Sequence, residues 1–204
     1  AEIDQKIADI ATEYFALPDD VDVAVADGRA YLTASEEQYD VIMVDAYQDI
    51  TIPFQLSSVE FFTEVSEHLK DGGVMVVNLN MASNREGSIN DYLCDTMASV
   101  FRHVYTVDVP GNTNREVFCT NSDELLDVFE RSRGELQNPE YASAMEQVSQ
   151  NITEYQAGDL ILTDDKAPVE LLGMQVLDEI IADELAYYKG LFTSGGLNLD
   201  ALMG

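Results

Sequence analysis

The chain has 204 residues, of which 46% are hydrophobic, which is enough for one domain with a buried core. Its 39 acidic and 10 basic residues give a formal net charge of −29, which would repel nucleic acid and attract a small cation. A solvated acidic surface that serves solubility, or a salty cell interior, would account for the same charge.

Cysteine, histidine and apolar patterns exclude several further classes. Cys94 and Cys119 lack metal-ligand spacing, and His68 and His103 each stand alone, so we expect free thiols, no metal and no histidine-based triad. No apolar run approaches the roughly 20 residues that a membrane helix needs. The charged, amphipathic start of the chain does not resemble a secretory signal. We therefore expect a cytoplasmic protein that binds neither nucleic acid nor a membrane.

The first 34 residues alternate short apolar segments with amphipathic ones. Residues 1–4 have the pattern of the end of a strand, and Asp4 is placed to cap a helix with one apolar face. Residues 21–25 alternate valine with Asp22 and alanine, which predicts a short strand ending before Asp27. A short helix is predicted from Arg29 to residue 34.

Residues 39–80 form the centre of the predicted fold. An apolar run, residues 41–44, ends in Asp45, and a second run, residues 74–77, ends in Asn78. Between them, residues 58–69 carry apolar side chains at helical spacing, so the stretch predicts a βαβ unit in a buried parallel sheet. Ligands of such sheets bind beyond the carboxyl ends of the strands, which makes Asp45 the first candidate for a functional residue.

The rest of the chain adds helices and one hairpin. Residues 104–109 and 115–120 are joined too closely for a crossover, so we expect an antiparallel pair. The fold class is therefore α/β, with a mostly parallel Rossmann-like sheet, helices on both faces and a C-terminal β-hairpin in the sheet. We expect one domain over residues 1–192 and a flexible tail over 193–204. Further helices are predicted at residues 88–101, from Ser122 onward, at 139–150 and at 174–191.

Five motifs in order resemble those of the spermidine synthase family, which has the Rossmann-like fold of S-adenosylmethionine-dependent methyltransferases. The similarity covers roughly residues 1–172. The motifs are EID at residues 2–4, DGRAYL at 27–32, YDVIMVD at 39–45, KDGGV at 70–74 and LTDDKAPV at 162–169.

The resemblance implies roles for individual residues. The donor, S-adenosylmethionine or its decarboxylated form, would be bound by Glu2 at the ribose, by Asp27 at the adenine and by Gly28 beside it. Asp45 would accept a proton from the attacking amine or orient it, and no metal is required. The substrate-binding candidates are Tyr47, Gln48 and Asp49.

Partners follow from the same resemblance. The acceptor would be a small molecule, a cationic polyamine, and the resemblance is compatible with a homodimer. Tyr47 has two interpretations, a residue lining the substrate pocket or an aromatic ring packed under the loop. Asp164 and Asp165 could order a loop over the site, but we expect Asp165 to cap the last helix.

Two departures from the family pattern affect this hypothesis. The family's first strand, its Gly-rich turn and its small N-terminal β-domain are not in the sequence. The strand at Ile3 and the strand at Val44 should therefore leave a slot of roughly 10 Å, two strand spacings, filled by upstream residues or a partner. The second departure is at the active site, where the family's D-x-x-D is Asp45-Ala46-Tyr47-Gln48 and the next acid is Asp49.

Three functional classes remain open. The first is an aminopropyltransferase or a close relative. The second is a small-molecule methyltransferase, which Gln48 favours because methyl transfer does not require a carboxylate pair. The third is a catalytically silent nucleotide-binding or interaction domain, which the missing Gly-rich turn favours.

Overall fold

The computed structural model describes residues 1–46, 52–80, 86–108 and 114–193. The predicted substrate-binding residues Tyr47, Gln48 and Asp49, and the predicted tail apart from Thr193, lie outside these ranges. The helices are α1 (Gln5–Tyr14), α2 (Gly28–Ala34), α3 (Val59–Glu67), α4 (Ile89–Ala98), α5 (Leu125–Gly134), α6 (Pro139–Asn151) and α7 (Val169–Thr193). The strands are β1 (Tyr39–Val44), β2 (Leu69–Asn80), β3 (His103–Asp108), β4 (Asn114–Thr120) and β5 (Thr153–Glu154).

The five strands form one sheet in the order β1-β2-β4-β3-β5. Strands β1 and β2 are parallel and are joined through α3, as the βαβ pattern predicts. Strands β3 and β4 form the predicted antiparallel hairpin. The α/β fold is thus confirmed, but the described pairs beyond β1–β2 are antiparallel, because the hairpin inserts β4 beside β2 and β5 pairs with β3.

Strand β2 lies at the centre of the core. Met75, Val77 and Leu79 point to one face and are at most 1% exposed, whereas Val76 on the other face is half-buried. Alternation of this kind is what a strand with one fully packed face shows. The core also takes buried side chains from α3, α4 and β4 and from the segments around α7: Phe62, Met97, Val117, Leu162 and Val169.

The N-terminal segment forms less strand than predicted. Residues 21–25 contribute only a single parallel bridge, between Glu2 and Val25, supported by Glu2 N–H donating to the Ala24 carbonyl (2.9 Å). In the described residues β1 pairs with β2 alone, so no ladder joins Ile3 to Val44. That agrees with the expected strand order, while the 10 Å slot stays a prediction.

Helix starts follow short polar side chains in most cases. Asp4 caps α1 by accepting from the Lys6 N–H at 2.8 Å, as predicted. The expectation that Asp165 caps the last helix is wrong, because α7 begins four residues later, at Val169. None of the described helices is both long and apolar enough to cross a bilayer.

Candidate functional site

A cleft of about 470 Å³ opens beside β1, and none of its lining residues belongs to β2. This volume lies within the range of small-molecule sites, about 300–1,000 Å³. One wall is the first turn of α2 with the chain start, and the other is β1 with its continuation. Its lining residues are Ala1, Gly28, Tyr31, Leu32, Tyr39, Val41, Ile42, Met43, Val44, Asp45, Ala46, Leu56 and Phe61.

Asp45 lies where the sequence predicts, directly after the last residue of β1, with its side chain exposed. Val44 is buried and pairs with Val77 of β2, so the register places Asp45 beside Asn78. Val44 thus anchors the end of β1 in the core, and Asp45 follows at the carboxyl end of that strand, where α/β folds bind ligands.

Glu116 is a second carboxylate at this edge, and the sequence analysis did not find it. It pairs with Asn78 across β2 and β4, and continuing the β1–β2 register one residue beyond its last pair, Val44 with Val77, aligns Asp45 with them in one row. Residues paired across a sheet point to the same face. Partial burial and then the charge of Asp45 raise the pKa of Glu116. The available signal in the sequence was a glutamate directly before the apolar run VFC at 117–119.

Asp27 and Gly28 lie at the opposite wall of the cleft. The Asp27 carboxylate accepts a hydrogen bond from the Ala30 N–H at 2.9 Å and so caps α2. The other oxygen of the Asp27 carboxylate takes no part in this hydrogen bond. A Cβ placed on Gly28 would meet no protein atom within 4 Å, so this glycine leaves space in the cleft and relieves no clash with the protein.

Glu2 lies on the segment that bridges to Val25, beside the wall that holds Gly28. Its carboxylate accepts a hydrogen bond from the Asp4 N–H at 2.8 Å. Gly28 and Asp45 line the same cleft, whereas Glu2 and Asp27 do not line it and are only the sequence neighbours of the lining residues Ala1 and Gly28. Among the described residues, no group of three histidine, cysteine or acidic side chains is arranged to hold a metal.

Comparison with known proteins identifies similar chains and folds. A family model described as "Spermine/spermidine synthase domain" matches residues 1–130. The "Probable polyamine aminopropyl transferase" of Bifidobacterium longum is 50% identical over 96% of this chain and 48% of its own length. The chain spans about half the length, or less, of the curated relatives it matches, as a polyamine aminopropyltransferase from Vibrio vulnificus, covered over 40%, also illustrates.

Solved structures show the same fold. A probable spermidine synthase from Corynebacterium glutamicum has a TM-score of 0.53 at 25% identity, covering 59% of this chain and 46% of that one. Human methyltransferase-like protein 13, solved in complex with SAH, also has a TM-score of 0.53, at 26% identity over 78% of this chain and 72% of that one. The fold is therefore that of the methyltransferases.

Proposed function

We propose that this chain, which belongs to the spermine/spermidine synthase family, carries the aminopropyl-transfer site of its protein. The donor would be decarboxylated S-adenosylmethionine and the acceptor a polyamine. One observation carries the proposal: Gly28, from the motif assigned to the donor, and Asp45, assigned to the acceptor, line the same cleft. A transfer reaction needs both substrates in one site, with the reacting atoms in contact.

The chemistry asked of the site is a displacement at carbon. The nitrogen lone pair of the acceptor attacks the methylene carbon next to the sulfonium, a C–N bond forms, and the C–S bond breaks with its electron pair going to sulfur. The products are the elongated amine and neutral methylthioadenosine. Asp45 accepts or directs the proton that the amine loses, and its exposure lets that proton pass on to water.

The donor side of the site follows from the cleft wall. The free space at Gly28 would allow the nucleoside to approach the backbone closely, and Asp27 would receive the adenine amino group. Because one Asp27 oxygen already caps α2, the carboxylate is held in a fixed orientation. Glu2, next to the lining residue Ala1, would accept the ribose hydroxyls.

The acceptor side would use the carboxylates of Asp45 and Glu116. In the D-x-x-D position this chain has Gln48, so a second anionic group must come from elsewhere if a diamine is held at both ends. Glu116 lies two strand spacings from Asp45, which puts their backbones roughly 10 Å apart. Anionic side chains reaching in from both positions would match a short diamine, and the net charge of −29 would favour its approach.

The rest of the protein would complete the site. Residues 1–192 form one domain in this proposal, and residues beyond this chain, or a partner in a homodimer, would supply the strand beside β1. The exposed Val41 and Met43 on β1 support it, because an unpaired edge with apolar side chains normally receives a cover. The same proposal places the protein in the cytoplasm.

Calorimetry on the complete protein tests the donor assignment. Decarboxylated S-adenosylmethionine, S-adenosylmethionine and methylthioadenosine would each be titrated into it. We expect the decarboxylated donor and methylthioadenosine to bind, and mass spectrometry to show an aminopropylated diamine. Absence of binding by all three compounds would contradict the proposal.

A methyltransferase is the second candidate, because Gln48 breaks the carboxylate pair and methyltransferase-like protein 13 shares the fold. The two candidates differ in product. Tight binding of S-adenosylmethionine, with a methylated acceptor and S-adenosylhomocysteine released, would favour methyl transfer over the main proposal.

A further inference from the structure

We infer that Arg29 is a positioning residue that ties the first turn of α2, beside the lining residue Gly28, to the turn that carries the lining residue Leu56, through a bidentate pair with Asp164 and a hydrogen bond to the Gln55 carbonyl. The inference rests on the proposed function for its role in donor binding. The mechanism described above does not use Arg29, although it directly follows Asp27 and Gly28.

The pair has the geometry of a fixed fork. Arg29 Nη1 donates to Asp164 Oδ1 and Nη2 to Oδ2, both at 2.8 Å, across 135 residues of sequence. The Arg29 side chain is 22% exposed and the Asp164 side chain 41%, so the pair is only partly screened from solvent, and its geometry matters more than its Coulomb energy. Two parallel N–H···O bonds fix the orientation of both groups, which a single contact would not do.

The same guanidinium also contacts the turn Phe54–Leu56 and α3. Nη1 also donates to the carbonyl of Gln55 at 3.1 Å, and Nε donates to Glu64 at 3.3 Å. Gln55 lies in the 3₁₀ turn Phe54–Leu56, whose Leu56 lines the cleft. Arg29 therefore joins the first turn of α2, which carries Gly28, to the turn Phe54–Leu56.

Asp164 is itself anchored at several points. Its carboxylate accepts from Ser58 Oγ at 2.5 Å, and its backbone N–H donates to Glu60 at 3.0 Å. Two residues earlier, the carbonyl of Leu162 accepts from the Val59 N–H at 2.9 Å, and the Leu162 side chain is fully buried. The Arg29–Asp164 pair, called the clamp from here on, is thus anchored to the start of α3 and to the core, so it can hold the residues of the cleft in fixed positions.

The charge states make this a permanent clamp and exclude a pH switch. The hydrogen bond that Arg29 donates to Asp164 is the largest cause of the raised pKa of Arg29, and burial partly opposes it. The hydrogen bonds from Arg29 and then Ser58 lower the pKa of Asp164. Both groups therefore stay charged throughout the pH range in which the enzyme would work.

Arg29→Lys, Arg29→Gln and Asp164→Asn in the complete protein test the inference. A lysine keeps the charge but cannot make the fork, so we expect it to raise the KM for the nucleoside donor about tenfold, with little change in melting temperature. Arg29→Gln and Asp164→Asn should raise that KM at least as much. The matched control is Arg133→Gln, which removes an arginine paired with Glu130 at 2.6 Å away from the cleft and should leave the KM unchanged.

Hydrogen exchange supplies a readout that does not depend on the donor. We expect Arg29→Gln to speed exchange in both residues 28–34 and residues 53–58, and Arg133→Gln to do neither. Unchanged exchange in both segments would overturn the clamp. If exchange changes but the donor KM does not, the clamp has no positioning role and the inference is wrong. If the wild-type protein binds no nucleoside at all, the proposed function fails, and with it the assigned role in donor binding.

Discussion

Two regions of the sheet differ in how completely the described residues cover them: the region of β2, β4 and β3, and the region of β1 with the chain start. On the side of β2, β4 and β3, Met75 and Val117 are fully buried. On the side of β1 and the chain start, Ile3 is 71% and Met43 is 73% exposed, and α1 buries none of its residues. The same kind of apolar pattern therefore gives a packed core in one region and an uncovered surface in the other.

The difference shows where the fold depends on more than these residues. Burial stabilises by about 25 cal/mol per Å² of apolar surface, and that contribution is realised only where a second surface packs on the first. The candidate cleft is lined by β1, α2 and the chain start, the less covered region, together with Leu56 and Phe61. The stability of the fold should thus depend mainly on residues in the region of β2, β4 and β3, whereas activity should depend on residues of both regions.

The largest expected effect is on catalysis, in the less covered region. Asp45→Asn in the complete protein should lower kcat by about 10²–10⁴-fold, the range for loss of a positioned proton acceptor. Since Asp45 is exposed after β1, its replacement should leave the melting temperature near that of the wild type. Steady-state kinetics with circular dichroism as the fold control would check both results. A variant that keeps most of its kcat would make Asp45 a structural residue.

A matched pair of methionines compares the two regions directly. Met75→Ala, in fully buried β2, should destabilise the chain by about 2–5 kcal/mol, because it leaves a cavity. Met43→Ala, in exposed β1, should change stability by less than about 0.5 kcal/mol. Urea unfolding of this chain would measure both. A large cost at Met43 would mean that β1 is covered in solution by another copy.

Glu116 provides a smaller effect that is specific to the acceptor. Glu116→Gln should raise the KM for a diamine about tenfold, the size of one charge-assisted contact, and leave the donor KM unchanged. The raised pKa of Glu116 means that its carboxylate forms at a higher pH than usual. The wild-type KM for the diamine should therefore fall as pH rises through that pKa, and the variant should lose this dependence. Equal KM values in the two proteins would exclude Glu116 from the acceptor site.

The smallest effect is expected at the far edge of the sheet. Hydrogen bonds to Asp123 and then Glu154 raise the pKa of His103 above 6.5. Because the pKa of His103 is higher in the folded state than in the unfolded state, protonated His103 stabilises the fold. That contribution is complete below pH 6.5 and is lost as pH rises through the pKa of the folded state. The difference in melting temperature between wild type and His103→Gln should shrink over that interval. A difference that stays constant with pH would show that protonation of His103 does not contribute.

The local sequence pattern was sufficient to predict the elements that apolar periodicity and connection length identify. The βαβ unit from β1 to β2 and the β3–β4 hairpin follow from apolar periodicity and from the length of their connections. The position of Asp45 at a strand end follows equally from the run before it, because a short apolar run predicts a strand even though only Val44 of this run is buried. The family resemblance was likewise available from short motifs, and the family model confirms it.

Long-range pairing was not available from the sequence. Residues 21–25 have a good strand pattern, yet only Val25 forms a bridge, because a strand needs neighbours to satisfy its backbone groups. The row of Asp45, Asn78 and Glu116 depends on the register of two ladders. The apolar segments, and the position of the first carboxylate after a strand, can be read from the sequence alone. The contact between Arg29 and Asp164 can be read only from the tertiary structure, because contacts between residues so far apart depend on the packing of the whole sheet and its helices.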